Sequence, residues 1–269
     1  IHAIVHLGQQ ADIDAMPMPA NAAEGRADLI SRLKATATRA QAPLRAYLEE
    51  QQSIGRVSSY QALWVTNAIA VQARPSVIRS VAAWPSVSSV RLDHWRQWVP
   101  SEDTSWGTER ARDGAPLGTW RGGPSLDDGS IAWNVSHVRA DEVWHTLQVS
   151  GTGAVVASLD TGADWFHPAL RASYRAYNPH GPSDHTHSWF DATEAGARYP
   201  VDGHGHGSHT LGTILGAGGI GVAPGARWIG VRVLNNQGAG YDSWIHAGFQ
   251  WVLAPGGDPT RAPDVVNCS

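Results

Sequence analysis

Residues 154–162 read Ala-Val-Val-Ala-Ser-Leu-Asp-Thr-Gly, and this stretch decides the class of fold. Its apolar run has the length of one buried strand and ends in a carboxylate, Asp160, followed by a small polar residue and a glycine. Ligands and catalytic groups gather at the carboxyl ends of the strands of a parallel sheet. Asp160 is therefore a candidate functional residue, although Asp-Thr-Gly is also a common turn at the end of a strand.

Helical and strand-like segments alternate along residues 130–269. The predicted helices are Val138–Leu147, Ser208–Leu215 and Ser243–Leu253. The predicted strands are Ala154–Leu159, Trp228–Leu234 and, as the beginning of a further strand, Asp264–Asn267. Strands that alternate with helices imply a parallel sheet whose faces are covered by helices, so this region is predicted to be an α/β domain.

The first 95 residues have a different pattern, because two strand-like runs follow each other without a helix between them. The predicted order is β-α-β-β-α-β, the order of a ferredoxin-like α+β domain. The strands are expected at Ile1–Leu7, Ile54–Tyr60, Leu63–Gln72 and Val87–Leu92, and the helices at Asn21–Gln51 and Ser76–Trp84. Pro43 interrupts the first helical pattern and is expected to kink or split that helix.

A segment rich in glycine, proline and short polar residues separates these two regions. Its composition predicts a linker. Three parts are therefore expected: residues 1–95, a linker at 96–129, and residues 130–269. A processing site is expected somewhere between Asp93 and Ile131, because the linker is long and contains arginines.

Composition and charge narrow the classes of partner. The chain has 269 residues, of which 42% are hydrophobic and 16% charged, so a sizeable core can form. The formal net charge is −4 and there is no block of Lys or Arg, so neither a nucleic acid nor an anionic membrane is an expected partner. No apolar run approaches the roughly 18 residues of a membrane span. The single cysteine, Cys268, excludes an internal disulfide, and no signal peptide is visible.

The second group of chemically active residues is Asp-Gly-His-Gly-His-Gly-Ser-His at 202–209. One hypothesis is a metal site formed by His204, His206 and His209, although no Glu occupies the general-base position of a His-Glu-x-x-His motif. A second is a turn and helix cap in which the histidines are incidental. A third is a general base, because an imidazole with a pKa of about 6.5 accepts a proton from a hydroxyl at neutral pH.

Together, the two groups resemble the motifs of the subtilase (subtilisin-like) family. The likeness rests on segments that follow each other in the family's order: Leu159–Gly162, His206–Thr213, Gly221–Ala226, Val231–Leu234 and Asp264–Ser269. By this resemblance Asp160 is the catalytic carboxylate, His206 the catalytic base and His209 a second, non-catalytic histidine. Within the family, Asp164–Leu170 and Ser188–Ala192 are most similar to the bacillopeptidase F branch.

The resemblance implies a fold, an activity and a processing route. It implies a subtilisin-like parallel sheet with helices on both faces, incomplete in this chain, in a serine endopeptidase that acts on polypeptide substrates. The triad serine and the oxyanion-hole asparagine are expected beyond residue 269, so this chain alone is expected to hydrolyse peptides poorly. Residues 1–95 are similar to a prodomain that acts in cis as chaperone and inhibitor, with its tail in the active-site cleft. A secreted or cell-envelope zymogen is the expected product.

The resemblance also assigns binding residues. Gly238, Ala239 and Gly240 match the loop whose backbone pairs with an extended substrate, and Ser269 matches the start of the opposite edge of the cleft. No metal and no cofactor are expected, and residues 216–219 lack the oxygen ligands that calcium would need at the family's usual loop. Four further acidic residues either hold another ion or, as the favoured expectation, lie in a solvated surface loop: Asp184, Asp191, Glu194 and Asp202.

Two other functions stay open at this point. One is a zinc hydrolase that uses the histidine cluster. The other is a catalytically dead, subtilase-like binding or inhibitor protein, which would carry a residue other than serine at the nucleophile position. Residues 1–95 could likewise be an unrelated accessory domain.

Overall fold

The computed structural model describes most of the chain: residues 1–16, 18–100 and 131–269. These residues form two compact units. The first unit contains residues 1–96 and 241–262, and the second contains residues 97–240 and 263–269. Most of the predicted linker at 96–129, together with most of the region expected to hold the processing site, lies outside the described residues.

The first unit contains a four-stranded antiparallel sheet. Its strands are β1 (His2–Leu7), β2 (Val57–Leu63), β3 (Ala68–Ala73) and β4 (Val87–Leu92), and its first two helices are α1 (Ala22–Ser53) and α2 (Pro75–Ala82). The strands lie in the order β2-β3-β1-β4. Buried side chains from both helices and the sheet form the core, among them Val5, Leu44, Leu48, Ile69 and Val77. The elements follow each other in the predicted order.

The turn between β2 and β3 lies later in the chain than the sequence predicts. Residues 64–67 form it, so the predicted break at residues 61–62 is wrong. Asn67 has a φ of 42°, in the left-handed region that asparagine tolerates better than most residues. The buried Gln41 side chain donates hydrogen bonds to the Leu63 carbonyl and to the Asn67 side-chain oxygen. These long-range contacts fix the turn, and strand propensity contains no information about them.

Helix α1 continues through Pro43 as one helix of 32 residues, so of the two expected outcomes, a kink or a split, the split is wrong. Proline removes one backbone hydrogen bond and disfavours the helix locally. Leu44 and Leu48 follow it and are fully buried, and packing of an apolar face supplies most of the stability of a helix in a protein. Asn21 caps the start of α1 by accepting a hydrogen bond from the Glu24 amide at 2.9 Å. None of the helices described in the chain is long and apolar enough to cross a membrane.

Residues 241–262 place one more helix, α7 (Asp242–Leu253), in the first unit. The buried Asp93 carboxylate accepts hydrogen bonds from the Ser243 amide at 2.9 Å and from the Ser243 hydroxyl at 2.6 Å. Backbone N–H groups in the first turn of a helix have no partner within the helix. Asp93 therefore caps α7. Farther along α7, the Gln250 side-chain oxygen accepts a hydrogen bond from the Trp64 amide at 2.5 Å.

The second unit contains the predicted parallel sheet. Its strands are β6 (Val155–Asp160), β7 (Trp189–Asp191), β8 (Arg227–Arg232) and β10 (Val265–Cys268), in the order β10-β6-β8-β7. Its helices are α3 (Trp133–His137), α4 (Ala140–Leu147), α5 (Pro168–Arg171) and α6 (His206–Leu215). Two short strands, β5 (Trp95–Gln97) and β9 (Ala239–Tyr241), lie where the chain passes between the units. The α/β prediction is confirmed, and the elements that it missed are too short to leave a periodic pattern.

Aromatic and aliphatic packing seats α6 beside β6. Tyr174, Leu211, Leu215 and Trp228 are fully buried in one cluster. The rings of Tyr174 and Trp228 have their centroids 4.4 Å apart, and the Trp228 indole donates a hydrogen bond to the Leu170 carbonyl at 2.8 Å. Burial of each large apolar side chain contributes about 1.5–3 kcal/mol. This packing holds the first turn of α6 next to the carboxyl end of β6, where the candidate residues lie.

Candidate active site

Asp160 is the last residue of β6, and it is completely buried. Its Oδ1 accepts hydrogen bonds from the Thr161 amide at 2.6 Å and from His206 Nδ1 at 2.7 Å. Its Oδ2 accepts a hydrogen bond from the Thr210 hydroxyl at 3.2 Å. A buried carboxylate is costly unless hydrogen-bond donors surround it, and here three donors do so. The two residues that the sequence predicts to be catalytic are thus in direct contact.

His206 is the first residue of α6, and its side chain is 28% exposed. Because Nδ1 bonds to the carboxylate of Asp160, Nδ1 carries the proton and Nε2 is the basic nitrogen of the neutral ring. The buried acid fixes the tautomer and the orientation of the ring. A histidine held in this way is suited to accept a proton from a neighbouring hydroxyl.

Asp202 organises the loop that leads into α6. Its Oδ1 accepts hydrogen bonds from the amides of His204 at 3.1 Å and Gly205 at 2.8 Å. Its Oδ2 accepts hydrogen bonds from the Ser208 amide at 2.8 Å and the Ser208 hydroxyl at 2.7 Å. Ser208 lies in the first turn of α6, so the carboxylate satisfies an N–H that has no partner within the helix. Asp202 therefore fixes the place at which α6 begins, and with it the position of His206.

Thr161 joins the end of β6 to the start of α6. Its hydroxyl donates a hydrogen bond to Asp202 at 2.9 Å and accepts one from the Gly207 amide at 3.0 Å. Thr161 follows Asp160 in the chain, and Gly207 follows His206. The hydrogen bond from Gly207 to Thr161 therefore joins the residues next to the candidate acid and base, and it helps to set the distance between Asp160 and His206.

The hydrogen bonds to Asp202 also lower the pKa of its carboxyl group. Partial burial alone would raise its pKa, because burial disfavours the charged form. Donors on Ser208, Gly205 and Thr161 outweigh burial and hold the pKa of Asp202 below its ordinary value of 3.8. The carboxylate is consequently negative at neutral pH, as the positive end of the helix favours.

Two glycines allow the strand end and the helix start to approach each other. Gly162 has a φ of +130°, and a Cβ on it would lie 1.8 Å from the Val201 carbonyl oxygen. A Cβ on Gly207 would lie 2.1 Å from the Gly162 carbonyl oxygen and 3.1 Å from Asp160 Cβ. Real Cβ atoms do not come so close to other atoms. Glycine at both positions is thus a steric requirement of the contact between Asp160 and His206.

The predicted substrate edge, Gly238–Gly240, is buried in the second unit and already has a neighbour. The Gly238 carbonyl accepts hydrogen bonds from the amides of Trp98 and Val99, both at 3.0 Å. The Gly240 carbonyl accepts a hydrogen bond from the Trp98 indole at 3.3 Å. An extended segment of this same chain therefore lies along the edge. Ser269 is exposed at the end of β10, and its binding role stays a prediction.

Comparison with known proteins agrees with these motifs. A model of the subtilase family matches residues 151–269. These residues belong to the subtilase family. Bacillopeptidase F of Bacillus subtilis strain 168 is 37% identical over 256 residues, which are 91% of this chain but 17% of that protein. An intracellular serine protease of Paenibacillus polymyxa is 35% identical over 127 residues, and subtilisin E of Bacillus subtilis strain 168 is 31% identical over 144.

The chain spans less than half the length of each of these subtilases. It covers 17% of bacillopeptidase F, 36% of the intracellular serine protease and 32% of subtilisin E. The two shorter matches cover 46% and 52% of this chain, whereas the match to bacillopeptidase F covers 91% and so also includes much of the first unit. The placement near bacillopeptidase F is confirmed.

The positions of the three histidines within residues 151–269 do not favour the zinc hypothesis. Among the described residues, no group of three or more His, Cys, Asp or Glu side chains is arranged to hold a metal ion. The rings of His204 and His206 have their centroids 6.2 Å apart, and His206 is engaged with Asp160. His209 is exposed on α6. The three histidines therefore do not converge on one point.

Cys268 is a second kind of nucleophile to consider beside the pair. It lies in β10, in register with Leu159 of β6. Partial burial and the negative charge of Asp160 raise the pKa of the Cys268 thiol. Because the thiolate is the reactive form, the raised pKa lowers the reactivity of this thiol.

The sequence interpretation missed a buried ion pair beside the subtilase site. Asp160, Arg232 and Asp191 lie in register across β6, β8 and β7. Arg232 Nη1 is 3.3 Å from Asp191 Oδ2, and both side chains are almost fully buried. The expected solvated loop is therefore wrong for Asp191, and also for Asp202, whose carboxylate is bonded within the protein. Strand β7 has only three residues, so no alternation in the sequence could have shown which way Asp191 faces.

Proposed function

We propose that this chain is part of the precursor of a secreted or cell-envelope serine endopeptidase that hydrolyses polypeptides with an Asp-His-Ser triad. The observation that carries the proposal is the 2.7 Å hydrogen bond between His206 Nδ1 and the buried Asp160 at the carboxyl end of a parallel strand. The chain order, acid before base, is that of subtilisin. The nucleophilic serine is proposed to lie beyond residue 269.

The geometry of the pair supports a separate role for each of its two residues. The serine hydroxyl attacks the peptide carbonyl while His206 Nε2 accepts the hydroxyl proton, which it later donates to the leaving amine. Asp160 holds the ring in the tautomer with the proton on Nδ1 and stabilises the imidazolium that forms. Asp160 is completely buried, so bulk solvent does not compete for its hydrogen bond to His206. These steps need no metal or cofactor, and none is proposed.

We further propose that residues 1–95 are a ferredoxin-like prodomain, residues 96–129 a linker that is cut, and residues 130–269 the start of the catalytic domain. The β-α-β-β-α-β order and the antiparallel sheet of the first unit support the prodomain assignment. A parallel sheet with many non-local contacts folds slowly, so the catalytic domain would benefit from assistance. The proposed prodomain would give such assistance by capping α7 with Asp93.

Residues 97–99 support an inhibitory role for the segment that follows the prodomain. The amides of Trp98 and Val99 donate to the Gly238 carbonyl, a main-chain contact of the kind by which a protease binds an extended substrate, and the Trp98 side chain donates to the Gly240 carbonyl. While this segment lies on the edge, a substrate cannot use the same backbone groups. The precursor is therefore proposed to be a zymogen that is activated when the linker is cut and this segment leaves.

The test is hydrolysis of casein by the full-length precursor, extended past Ser269 and allowed to mature. His206→Ala is expected to lower kcat about 10⁶-fold, the loss seen when the catalytic histidine of subtilisin is removed. His209→Ala is the matched control on the same helix, and its kcat should stay within about threefold because exposed side chains contribute little. Equal activities of the His206→Ala and parent proteins would overturn the proposal.

A further inference from the structure

Arg232 is the last residue of β8, and its charged side chain is only 7% exposed. Its Nη1 lies 3.3 Å from Asp191 Oδ2, and its Nη2 donates a hydrogen bond to the Asn236 side-chain oxygen at 2.7 Å. A buried ion pair is weak evidence for stability, because well-packed apolar residues often stabilise a fold as well or better. The burial of a charge at this place therefore points to a task other than stability.

Asp191 does not depend on Arg232 for its hydrogen bonds. Its Oδ1 accepts hydrogen bonds from the Thr193 amide at 2.9 Å and the Thr193 hydroxyl at 2.6 Å, and its Oδ2 accepts one from the Ala197 amide at 2.8 Å. Donors of its own loop thus satisfy both oxygens of the carboxylate. The dependence runs the other way, because Asp191 balances the charge of Arg232 while the second nitrogen of the guanidinium holds Asn236.

Asn236 belongs to a closed turn that leads into the proposed substrate edge, Gly238–Gly240. The Asn235 amide donates a hydrogen bond to the Ala239 carbonyl at 2.8 Å, and the Ala239 amide donates one to the Asn235 side-chain oxygen at 3.0 Å. These bonds make residues 235–239 one compact turn. A hydrogen bond that fixes Asn236 therefore also fixes the position of the substrate edge.

The Asn236 side chain also packs on the loop that precedes α6. A Cβ on Gly203 would lie 2.4 Å from Asn236 Cγ, so only a residue without a side chain fits against this amide group. Gly203 follows Asp202, whose carboxylate caps the first turn of α6. Asn236 thus contacts the loop that places the proposed catalytic base, three residues before His206.

We propose that Arg232 is a positioning residue of the protease and that it acts through Asn236. The guanidinium holds the Asn236 side chain between the two loops, and the amide group so held keeps the substrate edge and His206 at a fixed separation. This inference rests on the proposed function, in which a substrate lies along Gly238–Gly240 and His206 accepts the hydroxyl proton.

The expected effect is on kcat more than on KM. A misplacement of about 1 Å can cost about 100-fold in rate, so Arg232→Met, which removes both bonds, should lower kcat about 10- to 100-fold. KM should change by less than about threefold, because the turn at 235–239 is closed by its own bonds and substrate binding is kept. Arg232→Lys keeps a charge for Asp191 but lacks the planar fork that reaches two partners, so it should restore kcat only in part.

The experiment is a kinetic double-mutant cycle on the matured protease made from the full-length precursor. kcat and KM with casein are measured for the parent, for Arg232→Met, for Asn236→Ala and for the double variant. If Arg232 acts through Asn236, the double variant should lose no more than about threefold beyond the stronger single variant, because residues that share one task are not additive.

Arg175→Met is the matched control in the same unit. The Arg175 guanidinium donates hydrogen bonds to the Ser188 hydroxyl and the His187 carbonyl, so its loss should lower stability without releasing the loops at Gly203 and Asn236. Its kcat should stay within about threefold of the parent value, because the effects of independent sites are separable.

Four results would overturn the positioning role alone, in a parent that cleaves casein. They are parental kcat in Arg232→Met, parental kcat in Asn236→Ala, losses that add in the double variant, and an equal loss in Arg175→Met. Where Arg232→Met does not mature, Asn236→Ala and the same cycle run with Arg232→Lys decide the question. A parent that does not cleave casein would overturn the proposed function, and the positioning role with it.

Discussion

The two units use their buried polar groups differently. In the first unit, Gln41 and Asn67 are buried amides at the turn between β2 and β3, and the buried Asp93 carboxylate caps α7. In the second unit, Asp160 is a buried carboxylate, and Asp202 is partly buried and charged at neutral pH. The two amides bond to backbone carbonyls or to each other and Asp93 bonds to Ser243, whereas Asp160 and Asp202 bond to His206 and to residues next to it in the chain.

This difference separates groups that stabilise a fold from groups that prepare chemistry. A buried amide that satisfies backbone carbonyls contributes about 1 kcal/mol and has no other task. Buried charge costs more to maintain and is found mainly where its charge is used. Because the buried Asp160 carboxylate bonds to a histidine, the chemistry of this chain is expected in the second unit. Substitution of a buried polar residue should therefore affect catalysis in the second unit and only stability in the first.

The largest expected effect is that of Asp160→Asn on catalysis by the matured protease. Asparagine keeps the shape but does not hold His206 in the required tautomer, so kcat should fall about 10⁴-fold. The measurement is kcat with casein or a peptide substrate.

The counterpart in the first unit is Gln41→Leu, which leaves the Leu63 and Ala68 carbonyls without this donor. It should lower the free energy of unfolding of the precursor by about 1–3 kcal/mol and leave kcat of the matured protease unchanged. A fall in kcat for Gln41→Leu as large as that for Asp160→Asn would remove the distinction between the units.

The next effect concerns the close approach of β6 and α6. Gly207→Ala should lower the free energy of unfolding by about 1–3 kcal/mol, because its methyl group would collide with the backbone at Gly162. Gly212→Ala is the control on the same helix: a Cβ there meets nothing within 4 Å, and alanine favours the helix by about 1 kcal/mol. Urea unfolding of the full-length precursor in an inactive His206→Ala background measures both. Equal losses for the two variants would contradict the packing described at Asp160.

The smallest effect is the dependence of stability on Asp202 and pH. Its pKa is lower in the folded state than the ordinary 3.8, so its charge stabilises the fold fully above about pH 4. This contribution is lost as the pH falls through the folded pKa. Asp202→Asn should therefore be less stable than the parent at pH 7 by about 0.3–1 kcal/mol, and the difference should shrink below pH 3.8. If the stability difference between the parent and Asp202→Asn grew on acidification, the pKa of Asp202 would be raised, not lowered, in the folded state.

The sequence predicted the parallel sheet from local signals, and it paired Asp160 with His206 through the resemblance of their segments to subtilase motifs. An apolar run that ends in Asp-Thr-Gly marks a strand end, and the alternation of glycine and histidine at 203–207 marks a helix start that needs space. The structure supplies the reason for that spacing, since Cβ atoms at Gly162 and Gly207 would overlap with other atoms.

The features that the sequence did not predict depend on contacts between distant residues. The Gln41 side chain fixes the turn after β2 from 22 residues away. The partner of Arg232 is Asp191, 41 residues away in a strand of three residues. Asp202 acts as a helix cap, and the position of a cap becomes evident only when the start of α6 is known. No periodic pattern in the chain could have revealed these pairs.

The most direct test of the central claim is to expose the full-length precursor, after maturation, to a fluorophosphonate probe and to identify the labelled residue by mass spectrometry. Such probes react with a serine that a neighbouring base activates. We expect a single labelled serine beyond residue 269, with labelling lost in His206→Ala and retained in His209→Ala. Absence of labelling in the folded, matured protein, or labelling of a serine within residues 1–269, would contradict the assignment of Asp160 and His206 to a protease triad.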